Sequence, residues 1–251
     1  MNRTIVLLAF YILISLGISM ALGMFGFIFE FTGFPKNQIS DITTTLGIAI
    51  ASAITIYYGY RKGYMRRSDF SYNLSGIQAS YTFILFLLLF ILIGIFDEYV
   101  SLPDLFNWMN IDFRSPSTII AMVIVAPIAE EIIFRGMITK LLLEEYRPIK
   151  AILISALIFG IIHFNPAQIP VAFVLGLLFG WLYYKTGSII PGIILHFTNN
   201  AVVILGAVYL GEEWKFNNNT LALSLLAISL IALPFILKRA QLAFAKKEEW
   251  L

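Results

Sequence analysis

"APIAEEIIFRG", residues Ala126 to Gly136, sets two adjacent carboxylates and an arginine inside an apolar run that extends over 117–143. A run of that length exceeds the ~20 residues a helix needs to cross a bilayer core of about 30 Å. A charged side chain near the centre of such a helix costs at least about 2.5 kcal/mol, so three of them must face the protein interior and find partners there. Glu131 and Arg135 are four residues apart, share a helix face and are placed to pair. Glu130 is turned away from them by about 100°. The spacing therefore predicts that Arg135 neutralises Glu131 and leaves Glu130 free. A free carboxylate in apolar surroundings suits a general base that works near neutral pH.

The rest of the chain has the same character. It is 251 residues long, 59% hydrophobic and 13% charged, where a soluble domain is about a quarter charged. Eight apolar spans are read, at about 4–29, 40–60, 80–96, 117–143, 149–164, 167–184, 189–210 and 219–238, punctuated by Pro and Gly. The expected fold is all-α, a polytopic membrane protein. The apolar part of the N-terminal segment is longer than the 7–15 residues of a signal-peptide core, so it is read as an uncleaved first span. With the N-terminus placed in the cytoplasm, Arg3, Arg61, Lys62, Arg66, Arg67, Lys140, Arg147, Lys150, Lys185, Lys238, Arg239, Lys246 and Lys247 fall on the cytoplasmic side. Lys36, Arg114 and Lys215 fall on the other. That asymmetry predicts both termini inside. Asp97 to Asn110, after the third span, is expected to lie along the outer interface.

Composition also excludes. With no cysteine there is no disulfide, no thiol nucleophile and no Cys-ligated metal. No basic stripe of the kind that binds nucleic acid is present. Only two histidines, His163 and His196, are available for imidazole chemistry. His163 ends the fifth span in "FGIIHFNP" (Phe159 to Pro166), four residues after Phe159, just before Asn165-Pro166 breaks the helix. The break is read as lining a cavity, since irregular backbone at membrane depth is tolerated only there or in the protein interior. His196 lies in "PGIILHFTNN" (Pro191 to Asn200), on one face with Asn200. One glutamate, two histidines and an asparagine on three spans could activate a water and stabilise an oxyanion.

These three motifs, Glu130-Glu131 with Arg135, Phe159 with His163, and His196 with Asn200, resemble in order and spacing the CPBP intramembrane proteases, the CAAX-prenyl-endopeptidase and bacteriocin-immunity (Abi) family. The resemblance covers roughly 115–210 and implies three regions: spans one to three with an outer loop (1–114), a catalytic core of spans four to seven (115–210), and a last span with a basic tail (211–251). It implies an endopeptidase acting on a membrane-associated or lipid-modified peptide, a prenylated CAAX-like one being one case, with a bacteriocin-related, peptide-maturation or signalling role equally open; the expected location is the plasma membrane of a prokaryote. Glu130 would activate water, His163 would hold that water, His196 and Asn200 would form the oxyanion site, and Glu131, Arg135 and Phe159 would support them. The family is often called metalloprotease, although its better-supported mechanism uses no metal. The residue types leave both open: Glu130, His163 and His196 could hold a divalent metal such as zinc, but no H-E-x-x-H is present, and the metal-free reading is favoured.

Competing readings are a non-catalytic immunity or scaffold protein and a proton-coupled transporter, since buried Glu and His also build proton relays. Transport predicts inverted repeats and paired broken helices; the sequence has one break and no repeat. His196 favours access from the cytoplasm and His163 from outside. Trp181, Tyr183 and Tyr184 are read as an interfacial belt, and Gly160, Gly176, Gly180 and Gly192 as points of close helix approach.

Overall fold

A computed structural model describes residues 2–30, 36–72, 74–105, 112–211 and 219–245. These form eight helices and no strand: α1 (Asn2–Glu30), α2 (Lys36–Arg61), α3 (Gly76–Tyr99), α4 (Pro116–Leu143), α5 (Pro148–Ile161), α6 (Gln168–Thr186), α7 (Ile190–Leu210) and α8 (Asn219–Phe244). Seven of them are long and apolar enough to cross a membrane. The all-α, multi-pass expectation holds, with one correction. The fifth span is only the 14-residue helix α5, about 21 Å at 1.5 Å per residue, and so about 9 Å shorter than the hydrocarbon core. Pro148 fixes its start. His163, Phe164 and Asn165 end it, Phe164 taking a left-handed φ of 51°. Part of the expected interfacial stretch, 106–110, lies outside the described residues, as do Lys215, Lys246 and Lys247.

α4 is the axis of the molecule. Its residues Ile133, Phe134, Met137 and Ile138 are wholly buried, and it touches α1, α2, α5, α6 and α7. Around it stand three antiparallel pairs or hairpins: α1 with α2, α5 with α6, and α3 with α8. Without a hydrophobic driving force in lipid, such packing depends on backbones approaching closely over small residues. Three of the four glycines singled out above sit where α5 meets α6, and Gly192 instead meets the Glu131 side chain. A Cβ on Gly176 would lie 3.1 Å from Ala156 Cα, one on Gly160 2.9 Å from the Ile169 carbonyl, and one on Gly180 3.2 Å from Ile152.

The aromatic belt is not as expected. Tyr183 is 1% exposed and its hydroxyl donates to Asp69 at 3.1 Å. Trp181 packs on Phe244 of α8. On the opposite end of α6, buried Asn165 donates to Asp104 (2.9 Å) and accepts from the Leu105 amide (3.2 Å). Its own carbonyl caps the first turn of α6 through Gln168 and Ile169. Asn165 thus fastens the segment after α3 to the break that follows His163.

Candidate active site

The backbone of α4 departs from a plain α-helix on both sides of the glutamates. Ile120–Val125 and Ile132–Thr139 are π-helical, and only Ala126–Glu131 between them is α-helical. Such widened turns occur mostly at functional sites. Pro127 gives the first of them a physical cause. In the π pattern Ala126 N–H reaches back five residues to the Ala121 carbonyl. The next amide would serve Met122, but residue 127 is proline and has no N–H. The orphaned Met122 carbonyl instead accepts a 2.7 Å hydrogen bond from Asn200 Nδ2 on α7. Asn200 Oδ1 in turn accepts from Asn199 Nδ2 at 3.1 Å. Pro127 was the legible signal for this distortion.

The expected ion pair is present. Arg135 Nη1 lies 2.8 Å from Glu131 Oε1, with both side chains essentially unexposed. Arg135 also donates to the Gly176 carbonyl of α6 at 3.4 Å. Its guanidinium lies 4.3 Å from the Phe159 ring centroid and 5.3 Å from that of Phe179. The delocalised cation thus spends its charge on one carboxylate and two aromatic faces. Glu131 Oε2 has no hydrogen-bond partner among the described residues. It faces Gly192, where a Cβ would come within 2.6 Å of it.

His196 joins the two glutamates. Its Nδ1 is 3.3 Å from Glu131 Oε1, and its Nε2 is 3.8 Å from Glu130 Oε2. Since Glu131 accepts, Nδ1 is the protonated nitrogen, an assignment made from the partner. Glu131 is therefore not only the counter-ion of Arg135, as its spacing predicted. It also orients the imidazole. Glu130 is the open member of the set: its side chain is 23% exposed, against 0% for Glu131. In α1 the Tyr11 ring packs edge-on against Phe134, one turn beyond Glu130.

His163 approaches from the end of α5. Its Nδ1 is 2.7 Å from the Phe159 carbonyl, so that nitrogen carries the proton and Nε2 is left as an acceptor. The ring of Phe159 separates the two histidines: His163 and His196 stand edge-on to it, with centroids 5.1 and 5.9 Å away. Phe159 is thus the central spacer of the site, packed at once against Arg135, His163 and His196. Glu130, Glu131, Arg135 and His196 form one connected cluster. His163 joins it across Phe159, and Asn200 joins α7 to α4 one turn away from His196. Among the described residues no three His, Asp or Glu side chains are gathered closely enough to hold a metal ion. Glu130, His163 and His196 are not gathered into one ligand set.

Pro127→Ala supplies the missing amide, which competes with Asn200 for the Met122 carbonyl. It is expected to leave thermal stability unchanged or higher, and to lower turnover by up to about 10²-fold, the cost that a misplacement of about 1 Å can carry. Melting in detergent and a rate assay on the same preparation check this.

Residues 112–202 match the family model described as type II CAAX prenyl endopeptidase Rce1-like. That segment runs from just before α4 into the middle of α7 and contains all seven residues picked out by the three motifs. Within the chain, 90 residues are 39% identical to a Bacillus subtilis (strain 168) protein described as "Putative membrane peptidase YdiL", covering 36% of this chain and 37% of that relative. The similarity thus spans little more than a third of either protein. No solved structure matches the chain. The chain is similar to membrane peptidases over its α4–α7 core, and α1–α3 and α8 lie outside the matched segment.

Proposed function

We propose that this integral, multi-pass membrane protein is an intramembrane endopeptidase that cleaves a membrane-associated or lipid-modified peptide. The observation that carries this reading is the half-open Glu130 carboxylate beside His196, held in place by the fully buried Glu131–Arg135 pair. Water bound between Glu130 and the bare Nε2 of His163 would give its proton to Glu130 as its oxygen attacks the scissile carbonyl carbon. The carbonyl oxygen becomes an oxyanion. Collapse of that intermediate breaks the C–N bond, and the proton held by Glu130 passes to the leaving amine.

The oxyanion donors would come from α7. Asn200 has two amide N–H groups and spends one on Met122, which leaves the second. His196 Nδ1–H is committed to Glu131, so the ring donates from Nε2 only when doubly protonated. In that form the cluster is electrically neutral overall: Glu131 with Arg135, and Glu130 with the imidazolium. Neutrality suits a site in low-dielectric surroundings.

The N- and C-termini belong in the cytoplasm on the positive-inside argument, and the plasma membrane of a prokaryote is the proposed location. The matched family and relative support peptidase chemistry; a prenylated CAAX-like substrate rests on the family description alone. The deciding experiment is a survey of new peptide termini in membranes of cells expressing wild-type protein or Glu130→Gln at equal levels. Termini found only with the wild type establish proteolysis and name the substrate. Identical profiles from two folded proteins would overturn the peptidase reading in favour of an immunity or binding role.

A further inference from the structure

Asp69 was not singled out by any motif, and it lies outside the segment that matches the peptidase family. It is nevertheless among the most heavily bonded side chains described. It sits in a single 3-10 turn, Arg67–Phe70, between α2 and α3, and it is 4% exposed. Its Oδ2 takes Lys140 Nζ of α4 at 2.7 Å and the Arg66 amide at 2.6 Å. Its Oδ1 takes the Tyr183 hydroxyl of α6 at 3.1 Å. Its main-chain carbonyl accepts the Ile189 amide at 2.8 Å. Ile189 is the N-cap residue just before α7, and its amide has no partner within the helix.

One aspartate therefore ties the same ends of α4, α6 and α7 together. We infer that Asp69 is a positioning residue for the active site proposed above, setting the axial position of α7 against α4. The path is short. Ile189, fixed by Asp69, is buried against Gly136 of α4, where a Cβ would lie 3.6 Å from Ile189 Cγ2. Three residues on, Gly192 seats against Glu131. One further turn on, His196 meets Glu131 and Glu130. An axial slip of α7 by one residue, about 1.5 Å, would push the Gly192 backbone into the Glu131 carboxylate or draw His196 away from it. The α6–α7 turn resists slip from its own side, with Gly187 left-handed (φ 66°) and Ser188 Oγ accepting the Ile190 amide. Asp69 adds a bond from the α2–α3 connection to the residue that begins α7, made by a main-chain carbonyl that its side-chain bonds to Lys140, Arg66 and Tyr183 hold in place.

The absence of native cysteine allows a readout that does not depend on peptidase activity. Leu195 is 6% exposed, in the turn that carries His196, and Ile95 is 4% exposed, near the end of α3 that lies away from the clamp. Single Leu195→Cys and Ile95→Cys chains would be labelled with a maleimide in detergent, each with Asp69 intact and with Asp69→Asn. Without the added thiols, Asp69→Asn and Glu130→Gln would be compared with wild type for turnover of the peptide found in the terminus survey. The expected result is at least a fivefold faster reaction at position 195 in Asp69→Asn, no change at position 95, and a kcat lower by about tenfold with KM within twofold. Unchanged labelling at both positions with full turnover would overturn the inference. Faster labelling at both would also overturn it, because Asp69 would then be a general stabiliser. If Glu130→Gln keeps wild-type turnover, the peptidase reading fails, and the two thiols still decide whether Asp69 positions α7.

Discussion

Glu130→Gln is expected to fold, to melt within about 2 °C of the wild type and to lose turnover by about 10²–10⁴-fold, the range general-base removal produces. Glutamine has nearly the same shape and can still lie beside His196 Nε2, but it cannot take a proton from water. Because Glu130 is the half-exposed member of the cluster and makes no short ion pair, the substitution leaves no buried charge without a partner. Loss of activity without loss of stability is thus the signature that separates a base from a structural carboxyl. In kinetic terms kcat and kcat/KM should fall together, since the interaction is made in the transition state. Activity retained to within a factor of ten would assign Glu130 to packing and move the base elsewhere. The check is a progress-curve assay on purified protein with melting measured on the same samples.

The charges of "EEIIFR" and their spacing were enough to place Glu131 on Arg135, because an i,i+4 relation survives the distorted backbone. They were not enough to place His196 on both glutamates. That contact is made across helices, and its closeness depends on Gly192 having no side chain. The sequence likewise showed Asn200 on the face of His196, but not its partner. The Met122 carbonyl becomes available only because Pro127 follows a π-helical turn, and a 3.6-residue periodicity assumes that no such turn exists. Pro127 stood in the opening motif and could have flagged it. α5 was readable as an apolar segment, yet its hydrophobicity continues past Ile161 up to the Asn165-Pro166 break, which set its end at 164; the helix itself stops at Ile161, before the left-handed Phe164. Asp69 and Tyr183 were illegible for a different reason. An aspartate in a polar loop and a tyrosine near a helix end both look like surface residues, and only the fold shows that each is buried against the other.

Arg135→Met is expected to be the most destabilising single change in the site, by about 3–5 kcal/mol, because removing one member of a buried pair leaves the other charge uncompensated. Glu131 is fully buried, its Oε1 accepts from Arg135, and its Oε2 already lacks a partner. Without the guanidinium it retains only the 3.3 Å contact with His196. Methionine fills much of the arginine stem's volume, so the loss would come from charge more than from a void, and the Phe159 and Phe179 faces would lose the cation as well. The double variant Glu131→Gln with Arg135→Met removes both charges together, and replacing a buried pair by neutral groups of similar volume is often close to neutral. It should therefore recover most of the stability lost by Arg135→Met alone. It should not recover activity, because glutamine is a weaker acceptor for His196 Nδ1–H than the carboxylate, and the imidazole that faces Glu130 is then less firmly oriented. Thermal melting of the wild type, both single variants and the double variant closes the cycle. A double variant no more stable than Arg135→Met would mean that the arginine acts through its stacking on Phe159 and Phe179 rather than through its charge on Glu131.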